Sequence, residues 1–169
     1  MVALWLAVGL VALQRLAELW LAERNRRWAL ARGAKEYGQG HYPLFFILHL
    51  GWLLGWALEG SWRGQASGLW WLWLGVFLAA QGLRYWAIAT LGPYWNTRIL
   101  IVPGGRRIRE GPYRYLRHPN YLAVSLELLA LPLIFNAWIT ALAASLLNAW
   151  LLLRVRIPAE EAALGQYPQ

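Results

Sequence analysis

Polar chemistry in this chain is concentrated in two short stretches that lie far apart in sequence. The first is Gly111-Pro112-Tyr113-Arg114-Tyr115-Leu116-Arg117-His118-Pro119-Asn120-Tyr121, and the second is Arg156 with Glu160 and Glu161. Arg156 and Glu160 are four apart, so they share a face if the last helix continues through them. Asn120 and Glu127 are seven apart, again on one face, with Glu127 roughly 10 Å further along the axis. Brought together, the clusters offer arginines for a carboxylate and a glutamate for an ammonium, which suits a zwitterionic, charged cofactor.

Other chemistries lack their residues. The chain has no cysteine, so disulfides and thiolate-bound metals are excluded. Its three histidines, His41, His49 and His118, show no H-x-x-H or H-E-x-x-H spacing, and no metal site is expected. There is no G-x-S-x-G elbow, no P-loop and no Gly-x-Gly-x-x-Gly fingerprint.

The elements that must position these clusters are oily. Hydrophobic residues make up 59% of the chain and charged residues 14%, with 13 tryptophans and no aspartate. A soluble domain averages about 25% charged residues, so this chain is short of solubilising surface. The net charge of +8 is distributed between apolar runs rather than along one stripe, which is a membrane pattern and not a nucleic-acid one.

Five spans are expected, at about 2–22, 42–58, 68–86, 121–135 and 137–153. No Lys or Arg precedes the first run and Glu23-Arg24-Asn25-Arg26-Arg27 follows it, so it reads as a retained span rather than a signal peptide. Residues 119–153 hold a single charge, Glu127. One straight helix of that length would reach roughly 52 Å against a hydrocarbon core of about 30 Å. Pro132 and Asn136 offer the break, giving a tight hairpin that returns Arg156 and Glu160 towards His118.

Between the spans, residues 23–41 read as a short helix and a loop, and Glu59–Ser67 as a polar link. Ile99–Val102 is too short to span and is expected at the interface or against the loop. Gln14, Arg15 and Glu18 share a face, with Glu18 expected to pair with Arg15 as an internal strut; lining a ligand pocket, together with Glu127, is the alternative. His49 is expected to be a hydrogen-bonding strut between helices, Arg84 to snorkel to the headgroups, and the tryptophans to anchor the interfaces. The tail from Arg154 to Gln169 is expected to return to water.

Loops after the first and third spans and the tail hold 13 Lys/Arg, against only Arg63 on the other side. The positive-inside rule then puts the N-terminus outside and both clusters in the cytoplasm. The expected fold is an all-α integral membrane protein, one domain over 1–169, with a polar cytoplasmic loop and C-terminal tail forming the cofactor site.

The stretch from Gly111 to Tyr121, followed by Leu126-Glu127-Leu128 and Leu131-Pro132-Leu133, resembles the isoprenylcysteine carboxyl methyltransferase family. Arg156-Ile157-Pro158-Ala159-Glu160-Glu161-Ala162-Ala163-Leu164 resembles that family's Arg-x-x-x-Glu-Glu-x-x-Leu element, and Gly40-His41-Tyr42-Pro43 is similar to its small bacterial branch. The resemblance implies a multi-span enzyme that uses S-adenosylmethionine to methylate a carboxylate or acidic hydroxyl on a lipophilic, isoprenylcysteine-like or alkylpyrone-like substrate. It implies cofactor contacts from Gly105, Arg106, Arg107, Ile108, Tyr113, His118, Pro119, Asn120, Tyr121 and Glu160, and a substrate contact from Arg156. Membrane lipid and a lipophilic or prenylated acceptor are the expected partners, with no nucleic acid.

Two other readings remain open on the residues. A membrane reductase using NADPH is one, because sterol reductases carry a similar RHPNY stretch. A non-catalytic scaffold whose arginines set topology and grip anionic lipid is the other.

Overall fold

The computed structural model describes residues 1–167. Helix α1 runs unbroken over Val2–Leu30, well past the end of its apolar run. Nothing between Glu23 and Leu30 breaks a helix, and Arg27 pairs with Glu23 one turn back at 3.0 Å. Helix α2, Tyr42–Arg63, likewise carries on through Glu59 and stops at Gly64, which adopts the left-handed conformation (φ +71°) of a helix-ending glycine. Residues 23–30 and 59–63, expected in a separate short helix and a polar link, are therefore corrected to continuations of the preceding helices, and the link itself is confined to residues 64–69. Hydropathy marks the oily part of such a helix, not its ends.

After α1 the chain forms strand β1, Lys35–Tyr37, and after α3, Trp70–Leu91, it forms β2, Ile99–Ile101. The two pair antiparallel, with Lys35 opposite Ile101 and Tyr37 opposite Ile99. The mostly helical fold fits the all-α expectation, to which this short ribbon is an addition. Ile99 and Ile101 are buried, packed with Ala163 and Tyr167.

Helices α4, Pro119–Ile134, and α5, Trp138–Leu151, form the expected hairpin. Asn136 takes a left-handed conformation at the turn (φ +60°), which asparagine tolerates better than most residues. Pro132 has no N–H, so the carbonyl of Leu128 loses its partner within the helix. Trp52 of α2 supplies one: its indole N–H donates to the Leu128 oxygen at 3.1 Å, fully buried. Glu59 of α2 caps the start of α5, accepting from the backbone N–H of Ile139 (3.1 Å) and Thr140 (2.8 Å).

Among the described residues, four helical stretches are long and apolar enough to cross a membrane: Val2–Leu30, Gln39–Arg63, Trp70–Tyr94 and Trp138–Leu164. The fifth expected span corresponds to α4, whose 16 residues reach only about 24 Å. Helix α4 packs most heavily on α3 and α5. Small residues are fully buried on the first pair, Ala80 and Ala87 on α3, Ala123 and Ala130 on α4, as close helix approach in a bilayer requires.

The molecule is oily outside and ionic inside. Leu6, Leu10, Leu13 and Trp20 of α1, and Leu142, Leu146 and Trp150 of α5, are exposed. Glu127 is 0% exposed and Arg84 5%. Arg15 pairs with Glu18 at 2.9 Å, as expected, and with Glu127 at 2.5 Å. Arg84 pairs with Glu18 at 2.5 Å and Glu127 at 3.4 Å. It does not snorkel to the headgroups: two buried carboxylates offer a better partner than interfacial water. Gln14 and Gln81 complete the network, and two arginines cancel two glutamates.

Candidate active site

The α5 helix passes through a π-helical turn, Leu152–Arg156, into α6, Ile157–Leu164. The helix does continue, so Arg156 and Glu160 face the same way, Nε to Oε2 at 3.8 Å. A π turn widens the coil and is frequent at functional sites. Arg156 leaves it buried, whereas Arg154 two residues earlier is exposed.

Across from α6, the turn Gly111–Arg114 leads the chain to His118 at the start of α4. Gly111 has φ +53°, and a Cβ there would come within 2.3 Å of Thr90 Oγ1 on α3. Gly111→Ala is therefore expected to cost about 1–3 kcal/mol and to lower the melting temperature in detergent. Adding Thr90→Ala should recover only part of it, since the backbone strain remains. A melting temperature equal to wild type would contradict this account of the turn.

The two clusters meet. Tyr121 donates its hydroxyl proton to Glu160 and accepts from Arg156 Nε at 2.8 Å, while Arg156 Nη2 donates to the Thr97 carbonyl at 2.9 Å. The His118 ring stacks on Tyr121 (centroids 5.4 Å apart, 18° between planes). His118 Nδ1 lies 3.6 Å from Glu160, and Nε2 lies 2.8 Å from Glu161 but out of hydrogen-bonding alignment. Burial opposes protonation of His118, but the Glu160 and Glu161 carboxylates outweigh it and hold its pKa above the ordinary value. Burial and the Glu160 charge together push the Tyr113 phenol up.

These groups line a cavity of about 490 Å³, into which Arg106, Arg107, Ile108, Tyr113 and Asn120 also face. Arg107 holds Glu161 bidentately, at 3.0 and 2.7 Å. Gly105 and Pro119, also expected at the site, are not among the residues that line this cavity. Gly105 lies behind the wall, where a Cβ would press on the Tyr167 ring at 3.0 Å. Pro119 is buried as the first residue of α4, a position where a missing N–H costs nothing.

A second cavity, about 370 Å³, opens between α1, α2, α4 and α5, lined by side chains such as Leu16, Phe45, Leu50, Leu53 and Val124. Trp95, Asn96, Asn120, Tyr121 and Arg156 line both cavities. Arg15, Glu18 and Arg84 border the apolar one, which Glu127 and Gln14 do not.

Sequence reasoning missed the segment Trp95–Arg98. Asn25 of α1 anchors it through the Trp95 carbonyl (2.8 Å), and Asn96 ties it back to the Ala22 carbonyl (2.7 Å). The available signal was a polar, aromatic run directly after Gly92-Pro93. Tyr167, whose hydroxyl accepts from the Val102 N–H at 2.9 Å, was also missed. His49 differs from its expected role: Nδ1 bonds to the Phe45 carbonyl of its own helix at 2.7 Å and does not bridge to another.

A family model described as isoprenylcysteine carboxyl methyltransferase (ICMT) family matches residues 73–166. The uncharacterized protein YpbQ of Bacillus subtilis (strain 168) is 41% identical over 164 residues, covering 96% of this chain and 97% of that one. An uncharacterized protein of Haemophilus influenzae is 29% identical over 153 residues, covering 89% of this chain and 88% of its own. No solved structure matches.

Proposed function

From the chain's membership of the isoprenylcysteine carboxyl methyltransferase family, we propose that it is a membrane methyltransferase that uses S-adenosylmethionine to methylate a carboxylate or acidic hydroxyl on a lipophilic acceptor. The observation that carries this reading is the common wall: a polar chamber and an apolar chamber share Asn120, Tyr121 and Arg156. A charged donor suits the first chamber and an oily acceptor the second, with the reacting atoms meeting between them.

The residues present fit such a donor. Glu160 is an anion for an ammonium, and Arg106 and Arg117 face the same space for a carboxylate. Asn120 Oδ1 is buried and without a partner, ready to accept a hydrogen bond. When bound, S-adenosylmethionine supplies an electrophilic methyl on a sulfonium. His118 and Tyr121, stacked together, form one wall of the donor chamber. Arg156 spends Nε on Tyr121 and Nη2 on Thr97, which leaves Nη1 to hold the acceptor's oxygen. Tyr121 thereby joins the acceptor-holding arginine to Glu160 on the donor side. The apolar chamber keeps water from the reacting oxygen.

The proposed placement is multi-pass, one domain over the whole chain, with α4 and α5 crossing as a hairpin. The 13-to-1 distribution of Lys/Arg supports an outside N-terminus and a cytoplasmic donor chamber.

Equilibrium binding to detergent-purified protein tests the reading. Radiolabelled S-adenosylmethionine is expected to bind wild type and to lose at least about tenfold in affinity in Glu160→Ala and His118→Ala, one charged hydrogen bond being worth about 1.5–3 kcal/mol. Selective retention of NADPH would replace this reading with a reductase, and retention of neither ligand with a scaffold.

A further inference from the structure

Residues 95–98 form a strap that belongs to no helix or strand, so no ladder of backbone hydrogen bonds holds it in place. Trp95 and Asn96 nevertheless line both chambers. What fixes the strap comes from elsewhere in the chain. Asn25 of α1, 5% exposed, donates from Nδ2 to the Trp95 carbonyl at 2.8 Å and to the Gly92 carbonyl at 3.3 Å. Asn96 returns the contact, donating to the Ala22 carbonyl of α1 at 2.7 Å, while its Oδ1 accepts from the Arg98 N–H at 3.0 Å. From α2, the Tyr42 hydroxyl lies 3.3 Å from Thr97 Oγ1.

Thr97 stands among these anchors, and its carbonyl accepts from Arg156 Nη2 at 2.9 Å. A guanidinium is a rigid plane, so two fixed corners set the third. Tyr121 of α4 fixes the Nε corner of Arg156. The Nη2 corner is only as steady as the strap. Asparagine is a weaker helix former than leucine, so α1 itself gains nothing from Asn25. Its carboxamide serves a carbonyl 70 residues further along the chain.

We propose that Asn25 is a positioning residue for methyl transfer: it holds the strap whose Thr97 carbonyl clamps Arg156, and so sets where Arg156 Nη1 meets the acceptor's oxygen. The inference rests on the methyltransferase reading and gives α1 a part in the reaction. Without Asn25 Nδ2, two carbonyls lose their donor and the strap shifts. The guanidinium then swings about its remaining corner at Tyr121.

The probe is N-acetyl-S-farnesylcysteine, a lipophilic carboxylate, with purified full-length protein in detergent. Asn25→Leu keeps the bulk of the side chain and removes the donor. It is expected to lower kcat/KM for methylation of the probe by about 10- to 30-fold, since a misplacement of about 1 Å costs on the order of 10²-fold and Asn96 and Tyr42 still hold the strap. S-adenosylmethionine affinity should change by less than about threefold, because Glu160 and His118 share no partner with Asn25. Tyr42→Phe, a milder change at the same strap, should lower kcat/KM about threefold.

The deciding measurement repeats each substitution in an Arg156→Ala background, where no guanidinium is left to position. Each further loss should shrink to less than about twofold. The same cycle runs without a methyl donor on the affinity for the probe, expected to fall about fivefold or more in Asn25→Leu and less than about twofold once Arg156 is alanine. Equal losses with and without Arg156 would overturn the inference, make Asn25 a structural anchor and leave the methyltransferase reading intact. Should Asn25→Leu fail to fold, the Tyr42→Phe cycle decides by the same criterion. Wild type that binds the probe but not S-adenosylmethionine would overturn the methyltransferase reading, and the donor-free cycle would still decide the role of Asn25. Wild type that does not bind the probe would overturn the hold of Arg156 on an acidic oxygen, and this inference with it.

Discussion

Glu127→Leu is expected to destabilise the protein by about 3–5 kcal/mol, the usual result of stranding a buried charge by removing its partner. Glu127 is the 0%-exposed centre of the network and touches both Arg15 and Arg84. Without it, two guanidiniums share one carboxylate, Glu18, inside an oily bundle. The observable is a lower melting temperature and a smaller monodisperse fraction in detergent. Adding Arg84→Met restores neutrality, leaving Arg15 with Glu18, and the double variant should be more stable than the single one. If it is no better, the four charges are not coupled and the network account fails.

Arg156→Ala is expected to reduce kcat/KM for the lipophilic acceptor by about 10²–10³-fold, the loss expected when a buried charge contact worth about 3–4 kcal/mol disappears. Arg156→Lys should rescue little of it. A lysine cannot engage Tyr121 and the Thr97 carbonyl with a rigid fork and still present a third donor. S-adenosylmethionine affinity should fall by less than about tenfold, because Glu160 and His118 remain. Loss of donor binding with an unchanged acceptor KM would move Arg156 to the other chamber.

Local spacing was readable where one stretch of chain holds both partners. Arg15 with Glu18, Arg156 with Glu160, and the break at Pro132 and Asn136 all follow from helix geometry and backbone chemistry. The meeting of His118 with Glu160 and Glu161 was readable only through the hairpin that brings the two stretches together. What depends on a distant partner was not readable. Arg84 at the end of an apolar run looks like a snorkelling residue until Glu18 and Glu127 arrive from other helices. The β ribbon was invisible because its strands have three residues each, too few for an alternating pattern to register. The π turn before Arg156 leaves no residue signature. The ends of α1 and α2 were misplaced because charged residues there are good helix formers outside the oil.

Helix α4 also constrains the order in which the bundle can be built. On its own in lipid it would carry the Glu127 carboxyl and a Leu128 carbonyl with no partner. The groups that satisfy them, Arg15, Trp52 and Arg84, all belong to helices that leave the ribosome earlier. This segment, with its buried carboxyl group, is thus synthesised after every one of these receptors, and co-translational insertion can seat it in a niche already formed.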